Sequence, residues 1–225
     1  MTPVVRRVGQ LVALAGVQVT LLLVCAGTMD WPAAWLFLGL YVVILVVAAL
    51  VLMPQRSGVI EERSRGRAGA KPWDLVLTRL MAVTSLSVLV VAGLAQRWQW
   101  EPESGPVARG VGVALFVGGF ALVLWAMAAN RFFSQVVRIQ DERGHATVTD
   151  GPYRLMRHPG YLGMMISMAG TVLLLGSPWA WIPAVLYGAV LVVRTGREDA
   201  TLIQELAGYC VYAARSRYRL VPIIW

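Results

Sequence analysis

Apolar residues gather along the chain into long blocks separated by polar segments. A hydrocarbon core roughly 30 Å thick is crossed by about 20 helical residues rising about 1.5 Å each. Four blocks meet that length, over 8–28, 32–53, 73–95 and 107–129. A fifth runs over 159–176, Ser177-Pro178 interrupts it, and a sixth runs over 179–194. These last two are short and read as a helical hairpin, tilted or not fully crossing. The pattern predicts an all-α, polytopic transmembrane bundle. One membrane domain is expected over 1–225, with transmembrane helices through 129 and the chemistry-bearing part over 130–225.

Composition agrees. Hydrophobic residues make up 58% of the 225 positions and charged residues only 14%, against about a quarter charged in ordinary soluble domains. The net charge of +8 is almost wholly arginine, because Lys71 is the sole lysine. In a soluble chain such a balance would suggest nucleic acid; here it marks the cytoplasmic loops, and no nucleic-acid partner is expected. Two Lys/Arg precede the first span, five lie in 54–72, five in 130–158 and five from Arg194 onward, while Arg97 alone falls in 96–106. Arg79 and Arg109 sit near span ends, where they can snorkel. Both termini and both basic loops are therefore expected in the cytoplasm, in a multi-pass protein of the cell (inner) membrane. Trp31, Trp98, Trp100, Trp179 and Trp181 fall near the opposite ends, as interfacial aromatics do.

Several motifs exclude more than they assign. The apolar stretch from Val8 exceeds a usual signal-peptide core, so it reads as a retained first helix. Cys25 and Cys210 lie far apart, suggesting neither a disulfide nor a metal site. His145 and His158, the two histidines, leave a bis-histidine haem as a weak alternative. Gly110-Val111-Gly112 lies in an apolar span with no preceding strand, against a dinucleotide site. Segment 54–72, of mixed charge, reads as a surface loop or short interfacial helix.

Chemistry concentrates after Ala129. The connection through His158 is about 30 residues, long for a link between helices and of the kind that often carries function. Within GPYRLMRHPGYLG, Pro159 suits a helix's first position and pushes His158 toward extended backbone. The chain then turns into the membrane with first-turn N–H groups and Arg157 available to an anion. Gly160 and Gly163 leave room for a ligand or for another helix; a basic membrane anchor with packing glycines is the plainer alternative. Beyond the hairpin, Arg194 and Glu198 share a helix face, Asp199 and Glu205 come next, and Gly208 breaks the helix before Tyr209 and Tyr212.

The run RHPGYLG, preceded by GPY and followed by an acidic pair and a tyrosine-rich tail, resembles the isoprenylcysteine carboxyl methyltransferase family, in a bacterial-type integral membrane form. That family is related to the phospholipid methyltransferases. The resemblance covers about residues 130–225 and implies an S-adenosylmethionine-dependent methyltransferase. It assigns the cofactor to His145, Ala146, Thr147 and Val148, to Tyr153, and to His158, Pro159, Gly160 and Tyr161. Gln140, Arg157, Gly163, Glu198 and Tyr212 join them as cofactor candidates. Arg194 is placed near the substrate carboxylate, and with Glu198 forms the candidate catalytic pair; no metal is implied. The family's paired glutamates read Glu198-Asp199 here, and its Phe-Gly-x-x-Tyr segment reads within LAGYCVY.

The resemblance further implies a lipophilic or lipidated acceptor entering from membrane lipid, and methyl transfer to its carboxylate. Tyr153 or Tyr161 would lie near the sulfonium. A thiol or a phospholipid amine is the alternative acceptor, and a non-enzymatic scaffold or a transporter the alternative class. The acceptor's identity and the oligomeric state are not fixed by the sequence.

Overall fold

A computed structural model describes residues 3–52, 59–64, 69–100 and 105–225. Among these residues every regular element is helical: α1 Pro3–Ala26, α2 Pro32–Leu52, α3 Val59–Ser64, α4 Pro72–Trp98, α5 Pro106–Ala129, α6 Pro159–Leu175, α7 Trp181–Glu205 and α8 Tyr209–Arg215. Five stretches are long and apolar enough to cross a membrane: Val8–Ala26, Pro32–Leu52, Pro72–Trp98, Pro106–Ala129 and Pro178–Glu205. The chain is thus a multi-pass membrane protein. Proline opens α2, α4, α5 and α6, because its missing N–H is one that the first helical turn cannot pair anyway.

α6 has 17 residues and so reaches only about 26 Å at roughly 1.5 Å per residue. None of them is exposed. It lies inside the bundle, held chiefly against α5 and flanked by α7, α2 and α4. The α5–α6 contact is close because glycines face each other. A β-carbon at Gly163 would lie 2.6 Å from the Gly119 carbonyl oxygen, and one at Gly112 would run into the backbone of Leu174. Gly170 and Gly119 are crowded in the same way by Phe116 and Ser167. Small residues at this spacing allow backbones to touch where lipid supplies no hydrophobic drive.

Around that pair, Leu22, Phe37, Tyr41, Leu89, Phe116 and Leu174 form the main apolar core. Val42, Val43, Val46 and Leu50 of α2 stay exposed, as lipid-facing positions do in a spanning helix. Trp98, Trp100 and Trp179 are exposed too, but Trp31 is only 4% exposed. It packs into the core instead of joining the interfacial belt, since its ring lies among Ala33, Ala34 and Phe37 in that cluster.

The hairpin expected over 159–194 has a long second arm. Gly176 (φ +76°) ends α6, a 3₁₀ turn Pro178–Ala180 comes next, and α7 continues without a break through Glu205. Its second half, from Arg194, carries the acidic pair. In the segment read as loop or interfacial helix, α3 is helical and docks against α1; 54–58 and 65–68 lie outside the described residues. Arg97 belongs to the last turn of α4, and 101–104 also lie outside.

Candidate active site

The polar segment after α5 folds as a cap over one end of the bundle, and each fold in it has a local cause. Asn130 ends α5, and its Oδ1 accepts the Phe132 N–H at 2.9 Å, turning the chain. Residues 135–137 are then pinned to α4: Val137 N–H donates to Asp74 Oδ2 at 2.7 Å, and Lys71 N–H donates to the Val137 carbonyl at 3.1 Å. Arg138 forks onto Glu62 of α3, at 2.8 and 2.7 Å, and also reaches Glu142 at 2.7 Å. These hydrogen bonds to carboxylates hold its charge firmly, raising its pKa.

Gln140 is buried at the centre of the cap. Its Nε2 donates to the Phe132 carbonyl at 2.7 Å, and its Oε1 accepts from Arg143. Its backbone N–H donates to His145 Nδ1 at 3.3 Å. Burial, reinforced by the Arg138 charge, lowers the His145 pKa. The ring is therefore neutral near pH 7, with Nδ1 accepting and the proton on Nε2. Its face lies 4.6 Å from the Phe132 ring centre.

Beyond the cap, Gly151 (φ +59°) permits the turn into Pro152 and Tyr153. Tyr153 hydroxyl meets Asn130 Nδ2 at 3.3 Å and the Ala126 carbonyl at 3.4 Å. Tyr212 hydroxyl donates to the Tyr153 carbonyl at 2.7 Å. Burial raises both phenols' pKa values, so both stay neutral and structural. His158 sits at φ −127°, ψ 59°, less extended than the proline after it predicts. Its N–H donates to the Arg219 carbonyl and that of Arg157 to the Tyr218 carbonyl, each at 2.9 Å.

Together these segments and α7 enclose an open-mouthed groove of about 800 Å³. Gln140, His145, Ala146, Thr147, Val148, Tyr153, Arg157, His158, Gly160, Tyr161, Glu198 and Tyr212 all line it. The expected cofactor residues thus converge, although many polar tips among them are already committed. Glu198 is the acid that faces in; Tyr161 hydroxyl donates to its Oε2, and the Tyr161 ring stacks 5.6 Å from that of His158. Gly160 makes room for the Phe133 ring, which a β-carbon would meet at 2.7 Å.

Pro159, Gly163 and Arg194 are not among the lining residues. Pro159 starts α6. Gly163 serves helix packing against Gly119 and Val123. Arg194 is 3% exposed, and its fork is filled: Nε donates to Asp74 Oδ1 at 2.7 Å, and Nη2 donates to Asp74 Oδ2 at 3.2 Å and to the Gln135 carbonyl at 2.9 Å. The guanidinium carbon lies 5.1 Å from the Tyr161 ring centre. The acid that Arg194 pairs with is Asp74, not Glu198 on its own helix face. Asp74 sits in the first turn of α4 and is its sole acid, a position where an acid can signal a buried partner.

Phe133, Ser134, Val136, Leu202 and Leu206 also line the groove, and sequence pattern did not single them out. Such mostly apolar residues carry no chemical signature by themselves. Gln135, between the groove-lining Ser134 and Val136, borders a second cavity. It lies among α1, α2 and α5 and measures about 1180 Å³ out to its mouth. Leu14, Tyr41, Ile44, Phe120, Val123 and Met127 line it, with Arg63 and Gln135 at the polar side.

Fold and site together define a polytopic helical membrane protein whose polar groove adjoins an apolar cavity. Residues 112–204 match the model of the isoprenylcysteine carboxyl methyltransferase (ICMT) family. A rice protein (Oryza sativa subsp. japonica) named "Probable protein-S-isoprenylcysteine O-methyltransferase" is 31% identical over 147 residues, 64% of this chain and 72% of its own length. Protein-S-isoprenylcysteine O-methyltransferase A of Arabidopsis thaliana is 33% identical over 104 residues, 46% of this chain and 48% of its own. The Schizosaccharomyces pombe protein-S-isoprenylcysteine O-methyltransferase is 38% identical over 63 residues, 28% and 25% respectively. The chain belongs to the isoprenylcysteine carboxyl methyltransferase family. It is an integral membrane methyltransferase, and its reaction requires a methyl donor.

Proposed function

We propose that the protein transfers the methyl group of S-adenosylmethionine to the carboxylate of a lipophilic, isoprenylcysteine-like acceptor, from a groove facing the cytoplasm at the cell membrane. The observation that carries this reading is the polar groove beside the apolar cavity, with Ser134 and Val136 lining the first and Gln135 between them lining the second. The donor set fits the cofactor. Glu198 is an anion beside the groove for an ammonium or ribose hydroxyls, and His145 keeps an Nε2–H to donate. Tyr161 and Phe133 offer aromatic faces to a sulfonium. Arg157 lines the groove, and its buried Nε has no partner, so its guanidinium is the donor we assign to a carboxylate.

When bound, S-adenosylmethionine supplies an electrophilic methyl on a positively charged sulfur. An acceptor carboxylate is ionised at neutral pH, so no residue of the chain need remove a proton. Attack joins an anion to a cation, and water stabilises both reactants more than their charge-dispersed encounter. The chain's contribution is then to align the two and keep water out. Val136, Val148, Leu202 and Leu206 supply dry walls in the groove. The apolar cavity suits the acceptor's hydrocarbon part. An acceptor carboxylate that reaches Arg194 has only the Nη1 edge to meet, where Met81 Sδ stands 3.9 Å away.

Purified protein in detergent should bind S-adenosylhomocysteine by calorimetry. It should pass a labelled methyl group to a farnesylcysteine-type acid but not to the matching thiol or amine. Glu198→Gln should weaken cofactor binding about tenfold to a hundredfold, the worth of a lost charge-assisted contact of roughly 1.5–3 kcal/mol. Methyl transfer to the thiol or amine alone would overturn the carboxylate reading.

A further inference from the structure

The family match ends at residue 204, yet two groove residues, Arg157 and His158, are tied to the chain beyond that point. The tie runs partly through Asp199. This residue, beside Glu198 in sequence, faces away from the groove and is 1% exposed. Its Oδ1 accepts the Tyr209 hydroxyl at 2.9 Å and lies 3.4 Å from His158 Nε2. Its Oδ2 meets Arg157 Nη2 at 3.1 Å and accepts from Arg219 Nε at 3.0 Å. Arg157, His158 and Tyr209 all line the groove; Arg219 does not. The carbonyls of Tyr218 and Arg219 take the N–H groups of Arg157 and His158. Arg219 is itself backed by Trp225, whose ring centre lies 5.3 Å from its guanidinium carbon. The tail therefore grips the groove wall twice, once through backbone and once through Asp199.

We infer that segment 216–225 is a strap that completes the cofactor groove, and that Arg219 is a positioning residue acting through Asp199 on Arg157 and His158. The inference rests on the cofactor reading proposed for the groove. Two cations on one oxygen fix the carboxylate plane, and that plane aims both the histidine ring and the tyrosine hydroxyl. Without Arg219, Arg157 is the remaining cation on Oδ2 and is free to rotate about it. The strap's backbone then loses its anchor at the same residue. The consequence falls on the cofactor side, because no tail residue borders the apolar cavity.

The test uses the full chain in detergent. Arg219→Ala should raise the S-adenosylhomocysteine Kd about tenfold while the KM for the lipophilic acid stays within about twofold. Arg219→Lys, which can still reach Asp199, should restore most of the affinity. Hydrogen exchange at the amides of residues 157 and 158 should quicken in Arg219→Ala and return toward the parent rate in Arg219→Lys. If Arg219→Ala does not fold, Arg219→Gln takes its place in both measurements, with the same expectations. A Kd within twofold of the parent, or unchanged exchange at 157 and 158, overturns the strap. Failure of the parent to bind S-adenosylhomocysteine overturns the cofactor reading, and the exchange rates then still decide whether the strap exists.

Discussion

His145 shows how one ring can carry a pH dependence. It is buried and neutral, and its Nδ1 accepts a backbone N–H that a protonated ring could no longer satisfy. Its pKa is lowered by folding, so the unfolded chain binds the proton first as pH falls. Stability is therefore full above about pH 6.5, the ordinary histidine value, and declines below it. Melting temperatures between pH 7.5 and 5.5 should fall more for the parent than for His145→Gln. Equal falls would show that this ring does not set the slope. At this scale the sequence was informative where a motif is specific: the RHPGYLG run and the resemblance it carries pointed at residues that line the groove. It was silent where chemistry depends on a distant partner. Arg194 is four residues from Glu198, yet it pairs with Asp74, 120 positions away.

That pair is also a link between helices. Asp74 is fully buried in the first turn of α4, and Arg194 sits in the middle of α7. Removing one partner leaves a buried charge and should cost about 3–5 kcal/mol, whereas replacing both by apolar residues is often neutral. Asp74→Leu alone and Arg194→Met alone should thus lower the melting temperature more than the double variant does. Additive losses would mean that the pair does not act as a unit. The α5–α6 contact gives a sharper contrast. Gly163→Leu drives a side chain into backbone and should destabilise by the upper part of about 1–3 kcal/mol, while folded molecules keep their cofactor affinity. A stable protein that has lost the cofactor would return Gly163 to the groove. Helix existence was readable from the apolar blocks, and the start of α6 from Pro159. The depth of α6 was not, since apolar sequence looks the same facing lipid or facing protein.

The whole molecule places its groove at the end of the bundle built by the basic connection 130–158 and by the second half of α7. From the arginine asymmetry we propose that this end faces the cytoplasm. A reporter fused after Trp225 should be active only inside the cell; activity outside would invert the topology and put the groove on the wrong side for a cytoplasmic cofactor.

The enclosure of α6 reaches beyond the protein into the lipid around it. A short helix exposed to lipid would force the bilayer to thin or would tilt to match. No residue of α6 is more than partly exposed, so thickness mismatch should fall chiefly on the longer helices, which have 21 to 27 residues in α2, α4 and α5. Hydrogen bonds within the protein hold the groove wall in place. Cofactor affinity measured in bilayers of roughly 14- to 20-carbon acyl chains should then hold nearly constant. Entry of the lipophilic acceptor, which we propose passes from lipid between the longer helices, should be the step that changes with membrane thickness.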